Sequence, residues 1–306
     1  MIRQRRPARV SAGILLAGLV ATAAVAGLAG NATLAFATNL ACWIALTESW
    51  LILSGYAGYI SLGHAVFVGT GAYVFVLTWG MIPVWQGFLA AASASGLLAC
   101  LIGLPCLRVR GPYFVILTLG VAELAKNIVI NIEASLGMFG RLLMDGPGPR
   151  PLFLLACGLA AAAFVLSYAV RHSRLGIGLL AIRENETAAE MTGVPTVRLK
   201  IVAFVLSAII PGMVGCVMVA RSGYFEPLQI FSPQISLTIV TTCIIGGIDD
   251  VPGPVLGAVF LNLLSQALWE KAPQLYMVIL GVLLIAFVLK MPDGLYGWLM
   301  RRRRVA

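Results

Sequence analysis

Ten apolar blocks, at residues 10–30, 34–53, 65–79, 85–107, 113–132, 152–170, 201–220, 235–247, 255–269 and 275–289, follow one another along this sequence. A helix needs about 20 such residues to cross the hydrocarbon core of a bilayer, where every backbone amide has to be satisfied within its own segment. The expected fold is therefore all-α and integral to the membrane, with about ten transmembrane helices in a single domain over residues 1–306. Of the 306 residues, 60% are hydrophobic and 11% charged, which leaves no length for a large soluble domain. The third and eighth blocks are short and flanked by glycine, as broken or re-entrant helices of transporter folds are. The first block follows Arg3, Arg5, Arg6 and Arg9, a pattern shared with secretory signals, but its length favours an uncleaved first span.

Charge gives the expected orientation. The 21 Lys and Arg exceed the 12 Asp and Glu, but they sit in short runs between apolar blocks without interleaved aromatics, so nucleic acid is not an expected partner. With the N-terminus inside, Arg141, Arg150, Arg221 and Lys271 fall outside, Lys126 lies within the fifth span, and all other basic residues fall inside. The positive-inside rule then makes both termini and the 171–200 loop cytoplasmic. A cut near Arg150 divides the spans five and five in opposite orientation, and the short third span corresponds to the short eighth, so an inverted repeat is expected. The cysteines Cys42, Cys100, Cys106, Cys157, Cys216 and Cys243 form no CxxC and lie in or beside apolar blocks. They read as small hydrophobes rather than a disulfide framework or a metal site.

Three segments carry the functional information. Residues 55–73, GYAGYISLGHAVFVGTGAY, are rich in small residues where a lipid-facing helix would use Leu, Ile or Val. Such a stretch either packs closely against another helix or unwinds to offer backbone groups to a solute. Ser61 and His64 would share a helical face, yet no carboxylate completes a triad and the chain has two histidines, so an intramembrane enzyme is disfavoured. In the fifth span Glu123 and Lys126 are spaced to pair. An unpaired charge there costs about 3 kcal/mol, so the pair is either functional, as a proton relay in an ion-coupled transporter, or a mutually neutralising pair facing the bundle interior. Glu48, near a span end, reads as structural. Residues 171–200 form the longest charge-rich stretch, with a short amphipathic helix stopped by Gly193 and Pro195, and its interleaved apolar residues suggest a docking surface.

The strings GYAGYISLGHAVFVGTGAY at 55–73, RGPYFVILTLGVAEL at 110–124, SRLGIGLLAIRENETAAEMTGV at 173–194 and GGIDDVPGPVLGA at 246–258 resemble the permease subunits of bacterial ABC importers for branched-chain amino acids, whose fold is shared with sugar-importing permeases. The likeness covers nearly the whole chain. It implies a non-catalytic transport subunit without a cofactor, in the bacterial inner membrane among lipid. Its implied partners are a second permease subunit, two ATPase subunits, and a periplasmic or lipid-anchored solute-binding protein. The third string resembles the coupling helix of such permeases, with Thr187, Ala188, Ala189 and Gly193 at the EAA-then-Gly signature and Glu186 one place before its usual Glu. Arg183, Glu184, Glu186, Ala188, Ala189 and Gly193 are the expected ATPase-coupling residues. Tyr56, Gly58, Ser61, Gly63, His64, Tyr113, Thr118, Gly246 and Gly247 are the expected pathway residues, each small or polar within an apolar setting.

Residues 131–149 and the pair Asp249 and Asp250 depart from the family pattern, and both bear on the solute. Urea, an amide or another amino acid stands beside a branched-chain amino acid as cargo. An ion-coupled secondary transporter is the rival mechanism, but it gives the 173–194 stretch no role. The sequence holds no GxxxxGK[ST] phosphate loop and no Gly-Lys pair, so ATP hydrolysis is expected of a separate subunit.

Overall fold

The apolar blocks become helices whose ends are set by proline and glycine. The computed structural model describes residues 30–138, 140–143, 146–271, 278–279, 281–282, 285, 287 and 294–305. In chain order these residues form α1 (Asn31–Ala57), α2 (His64–Thr78), α3 (Val84–Cys106), α4 (Pro112–Ser135), β1 (Arg141–Leu142), α5 (Pro149–His172), α6 (Arg174–Glu184), α7 (Glu186–Met191), α8 (Thr196–Ser222), β2 (Tyr224–Phe225), α9 (Pro227–Ile230), α10 (Pro233–Gly246), α11 (Pro252–Lys271) and α12 (Gly294–Val305). Pro112, Pro149, Pro227 and Pro233 open their helices at the first turn, where the missing N–H costs nothing.

Among the described residues, six segments are long and apolar enough to cross a membrane: α1, α3, α4, α5, α8, and α9 with α10; α2 and α11 are shorter apolar helices. The fold is an all-α membrane bundle. The expected first span, and all but scattered positions of the tenth, lie outside the described residues.

Helix α8 is the axis of the bundle, packed against α1, α2, α3 and α5, while α10 and α11 pair and lean on α1. Small buried residues line these contacts, among them Ala41, Ala45, Ala91, Ala156, Ala160, Ala203 and Ala208. In lipid, close packing of small residues takes over from the hydrophobic effect as the force between helices. Helix α2 crosses α8 in backbone contact, and a methyl group added at Gly71 would lie 2.0 Å from the Gly212 carbonyl oxygen.

At one end of the bundle lie the α1–α2 link, the α3–α4 link, α6, α7 and the α10–α11 link, joined by the bonds described below. At the other end β1 and β2 pair antiparallel, Arg141 opposite Phe225 and Leu142 opposite Tyr224. Three local expectations change. The 171–200 loop carries two helices rather than one, because Asn185 turns extended (φ −160) and its side chain caps α7 by accepting from the Ala188 amide at 3.0 Å. Residues 58–63 are a non-helical link between two helices, with Tyr59, Ser61 and Gly63 buried and Gly58 and Ile60 exposed, not a break inside one. Helix α1 runs on to Ala57, so Glu48 sits in its interior, wholly buried with neither carboxylate oxygen hydrogen-bonded.

Candidate coupling and translocation site

Lys200, at the start of α8, is 2% exposed and spends all three ammonium protons. It donates to Glu186 Oε1 at 2.7 Å, to the Leu107 carbonyl at 3.0 Å and to Tyr59 Oη at 3.1 Å. Tyr59 in turn donates to the other Glu186 oxygen. Burial, followed by this bond, pushes the Tyr59 phenol up, so it stays a donor. Arg110 reaches Glu186 at 3.3 Å and Glu190 at 3.4 Å. Burial raises the Glu186 carboxyl, but its bonds from Lys200 and Tyr59 and the charges of Lys200 and Arg110 together outweigh that and hold it below the ordinary range. One carboxylate thus joins α7, α8, the α1–α2 link and, through Arg110, the α3–α4 link.

Arg183 makes the second tie. Its guanidinium donates to the Gly55 carbonyl and to Asp249 Oδ1, each at 2.9 Å, and its alkyl stem closes over Gly58, where φ is +76. Arg171 lies 3.8 Å from Asp250 and 5.5 Å from the Tyr56 ring centroid. The two aspartates that depart from the family pattern are therefore the counter-charges that dock the α10–α11 link onto the 171–200 loop.

The link between α1 and α2 is held from every side. Ser54 Oγ donates to the Tyr59 carbonyl, and Trp50 Nε1 to that of Ser61. The Leu62 amide donates to Thr118 of α4 at 3.1 Å, the Ala65 amide to Ser236 of α10 at 2.9 Å, and Tyr59 stacks edge-on against Phe114. Ser61 and His64 meet at 3.3 Å, across a loop rather than along a helix.

The expected pathway residues separate into two sets. Tyr113, 73% exposed, is on the open surface of α4, whereas Ser61, His64 and Thr118 form a buried cluster behind it. Tyr56 is buried and bonded to Ser167 at 2.8 Å. Gly246 and Gly247 make backbone-to-backbone contact with Gly253. The coupling residues also divide. Arg183, Glu186 and Ala189 turn inward, while Glu184, Ala188 and Gly193 are exposed beside Met191, which is 85% exposed and was not among the expected residues.

Two further features escaped the sequence reading. Glu133, buried near the end of α4, takes the Arg141 guanidinium at 2.9 and 3.2 Å and the Tyr73 hydroxyl at 2.9 Å; the signal was the eight-residue spacing across a glycine turn. A cavity of about 500 Å³ lies between α1, α9, α10 and α11, its walls mixing Trp43, Leu228, Ile235 and Leu261 with Asn39, Gln229, Ser232, Thr238, Thr242 and Asn262; among the described residues no ionisable side chain lines it. The Glu123–Lys126 pair forms as expected, but its side chains are 41% and 16% exposed on the outer face of α4. Of the two expectations for the pair, a position facing the bundle interior does not describe Glu123: α4 buries Phe114, Thr118 and Ala122 against the bundle, Glu123 lies round the helix from them, and the largely covered Lys126 lies between.

Residues 32–288 match the family described as the branched-chain amino acid transport system permease component. The chain belongs to that family. It is 27% identical to the high-affinity branched-chain amino acid transport system permease protein LivM of Escherichia coli (strain K12), over 92% of this chain and 74% of that protein. With LivH of the same organism it shares 28% identity over 44% of each chain. With the E. coli L-arabinose transport system permease protein AraH it shares 29%, over 46% of this chain and 44% of the relative. No solved structure matches the chain. As a member of this family the chain is a multi-pass membrane protein and the permease subunit of an ABC importer.

Proposed function

We propose that this permease carries a branched-chain amino acid into the bacterial cytoplasm as the non-catalytic half of an ATP-driven importer in the inner membrane. Its partners are a second permease subunit, two ATPase subunits that hydrolyse the nucleotide, and a periplasmic or lipid-anchored binding protein. Ten spans in a five-plus-five inverted repeat put both termini and residues 171–200 in the cytoplasm.

The observation that carries this reading is the wiring of α6 and α7. Their outer surface, with Glu184, Ala188, Met191 and Gly193, is free for an ATPase groove, while Arg183 and Glu186 on the inner side are bonded into the α1–α2 link and the foot of α8. A push on α7 reaches residues 55–63 through charged, buried contacts, and that link abuts α4 through Thr118. Rigid contacts of this kind turn a local displacement into movement of whole helices. The pathway runs along the open face of α4 past Tyr113. Ser61, Gly63, His64 and Thr118 form its movable backing, and Tyr56, Gly58, Gly246 and Gly247 its hinge.

A second reading, import of an uncharged polar solute such as urea or an amide, is favoured by the cavity between α1, α9, α10 and α11, where the polar groups among the described residues are all neutral. Reconstituting the complex in vesicles and following labelled leucine and labelled urea tests both. ATP-dependent leucine uptake is expected, lost together with ATPase copurification in Met191→Asp while the permease stays in the membrane fraction. Uptake driven by an ion gradient with no ATPase present would establish the rival mechanism.

A further inference from the structure

Among the described residues, Glu123 and Lys126 are the only charges in the middle of a membrane-spanning helix that reach its surface. Glu123 is eleven residues from the start of α4 and twelve from its end, hence about 16 to 18 Å from either, near mid-depth of the bilayer. Lipid is the wrong neighbour for such a pair, since no water or counter-charge is available there to solvate it. Beside Glu123, on the side away from the more covered Lys126, the helix carries Tyr113, Gly120, Asn127 and Asn131, at helical spacings of seven, seven and four, all exposed. Beside Glu123 the surface is open, for a methyl group added at Gly120 would meet nothing within 4 Å. Ile116 and Leu124 flank the polar strip with exposed apolar side chains.

The geometry points to Glu123 and Lys126 as the residues of α4 that receive the two charges of a zwitterionic amino acid during its passage, an inference that rests on the amino-acid reading above. The two side chains already form an ion pair. A zwitterion laid antiparallel to it sets its ammonium against the carboxylate and its own carboxylate against the ammonium, so no net charge enters the low-dielectric region. Its branched side chain then falls on Ile116 or Leu124. A neutral solute gains nothing from this arrangement, and an amine or an acid alone would leave one charge unmatched.

The test uses the whole complex with its ATPase subunits, second permease and binding protein in vesicles, with L-leucine as probe. Glu123→Gln and Lys126→Met are each expected to lower leucine uptake at least ten-fold at saturating binding protein, with subunit assembly and ATP hydrolysis retained. The double variant Glu123→Leu with Lys126→Leu separates recognition from neutralisation. A pair that only cancels its own charge is replaced by leucines without loss, whereas a solute site is abolished. In a background lacking the native cysteines, Asn127→Cys is expected to react with a charged, membrane-impermeant thiol reagent, and leucine-loaded binding protein should slow that reaction. Unaltered uptake by the double leucine variant overturns the inference alone. So does inertness of Asn127→Cys in every nucleotide state, or loss of the second permease from the Glu123 and Lys126 variants. Failure of the unaltered complex to take up leucine overturns the solute reading and this inference with it.

Discussion

At the scale of single residues, the end of the bundle that carries α6 and α7 depends on one lysine. Removing it as Lys200→Met leaves Glu186 buried without its nearest cation, and breaking a buried ion pair of this kind costs about 3 to 5 kcal/mol. The expected readout is a clear fall in the melting temperature of the detergent-solubilised permease. Adding Glu186→Gln should cost less than the sum of the two single changes, because the second removes the charge the first stranded. The same carboxylate gives a pH dependence. Its folded-state value lies below the ordinary 4.5, so the stabilisation is complete above pH 4.5 and is lost as the pH falls through the lowered value. Melting curves taken from pH 7 downward should show this loss, and Glu186→Gln should flatten that part of the profile. Sequence reasoning found Glu186 and Arg183 because they stand in a recognisable string. It passed over Lys200, whose importance comes from three partners at positions 59, 107 and 186 that only the packed bundle brings together.

At the scale of elements, α6 and α7 are divided by Asn185, whose side chain caps the second helix. Asn185→Ala is expected to cost about 1 kcal/mol and to loosen α7, read as faster amide exchange over residues 186–191 and weaker ATPase copurification. Gly193 closes this element at φ +84 with open space around it, so Gly193→Val acts through backbone strain rather than a clash. Both helices were legible in outline from their charge and apolar interleaving. The cap at Asn185 is legible too, since Asn followed by Glu is a helix-start signal, but apolar and charged residues interleave on both sides of it, and that pattern alone does not mark the break. The α2–α8 crossing was less visible. Glycine richness at residues 55–73 left packing and unwinding equally open, and both occur: Gly71 packs against Gly212, while residues 58–63 leave the helix. Gly71→Val is expected to abolish accumulation of folded permease, measured by membrane-fraction yield.

For the whole molecule, hydropathy located α1 to α5, α8, α10 and α11 to within about five residues at each end, because the bilayer demands long apolar segments whatever their partners are, and it missed α9 and α12. Charge asymmetry predicted that the α1–α2, α3–α4, α6–α7 and α10–α11 segments share a face, and the bonds of Arg183, Lys200 and Arg110 do gather them at one end. A topology reporter fused at Asn185 should accordingly be active only as a cytoplasmic fusion; activity on the opposite side would sink the proposed ten-span count. Which helix face meets lipid and which meets a solute was not legible. An apolar span satisfies the membrane on all sides, and only the structure turns Thr118 inward and Glu123 outward.

The two ends of α4 are fastened unequally. Its far end is clasped by the bidentate Glu133–Arg141 pair, the Tyr73 hydroxyl and the β1–β2 ribbon. Its near end meets the rest of the chain through the Thr118 bond to the Leu62 amide, the edge-on contact of Phe114 with Tyr59, and the half-exposed Arg110 beside it. A stiff rod held so swings like a gate on its post. A nudge delivered at the Arg110 end is expected to open an arc that narrows to nothing at Glu133 and leaves the mid-helix carboxylate of Glu123 about half the travel of Tyr113.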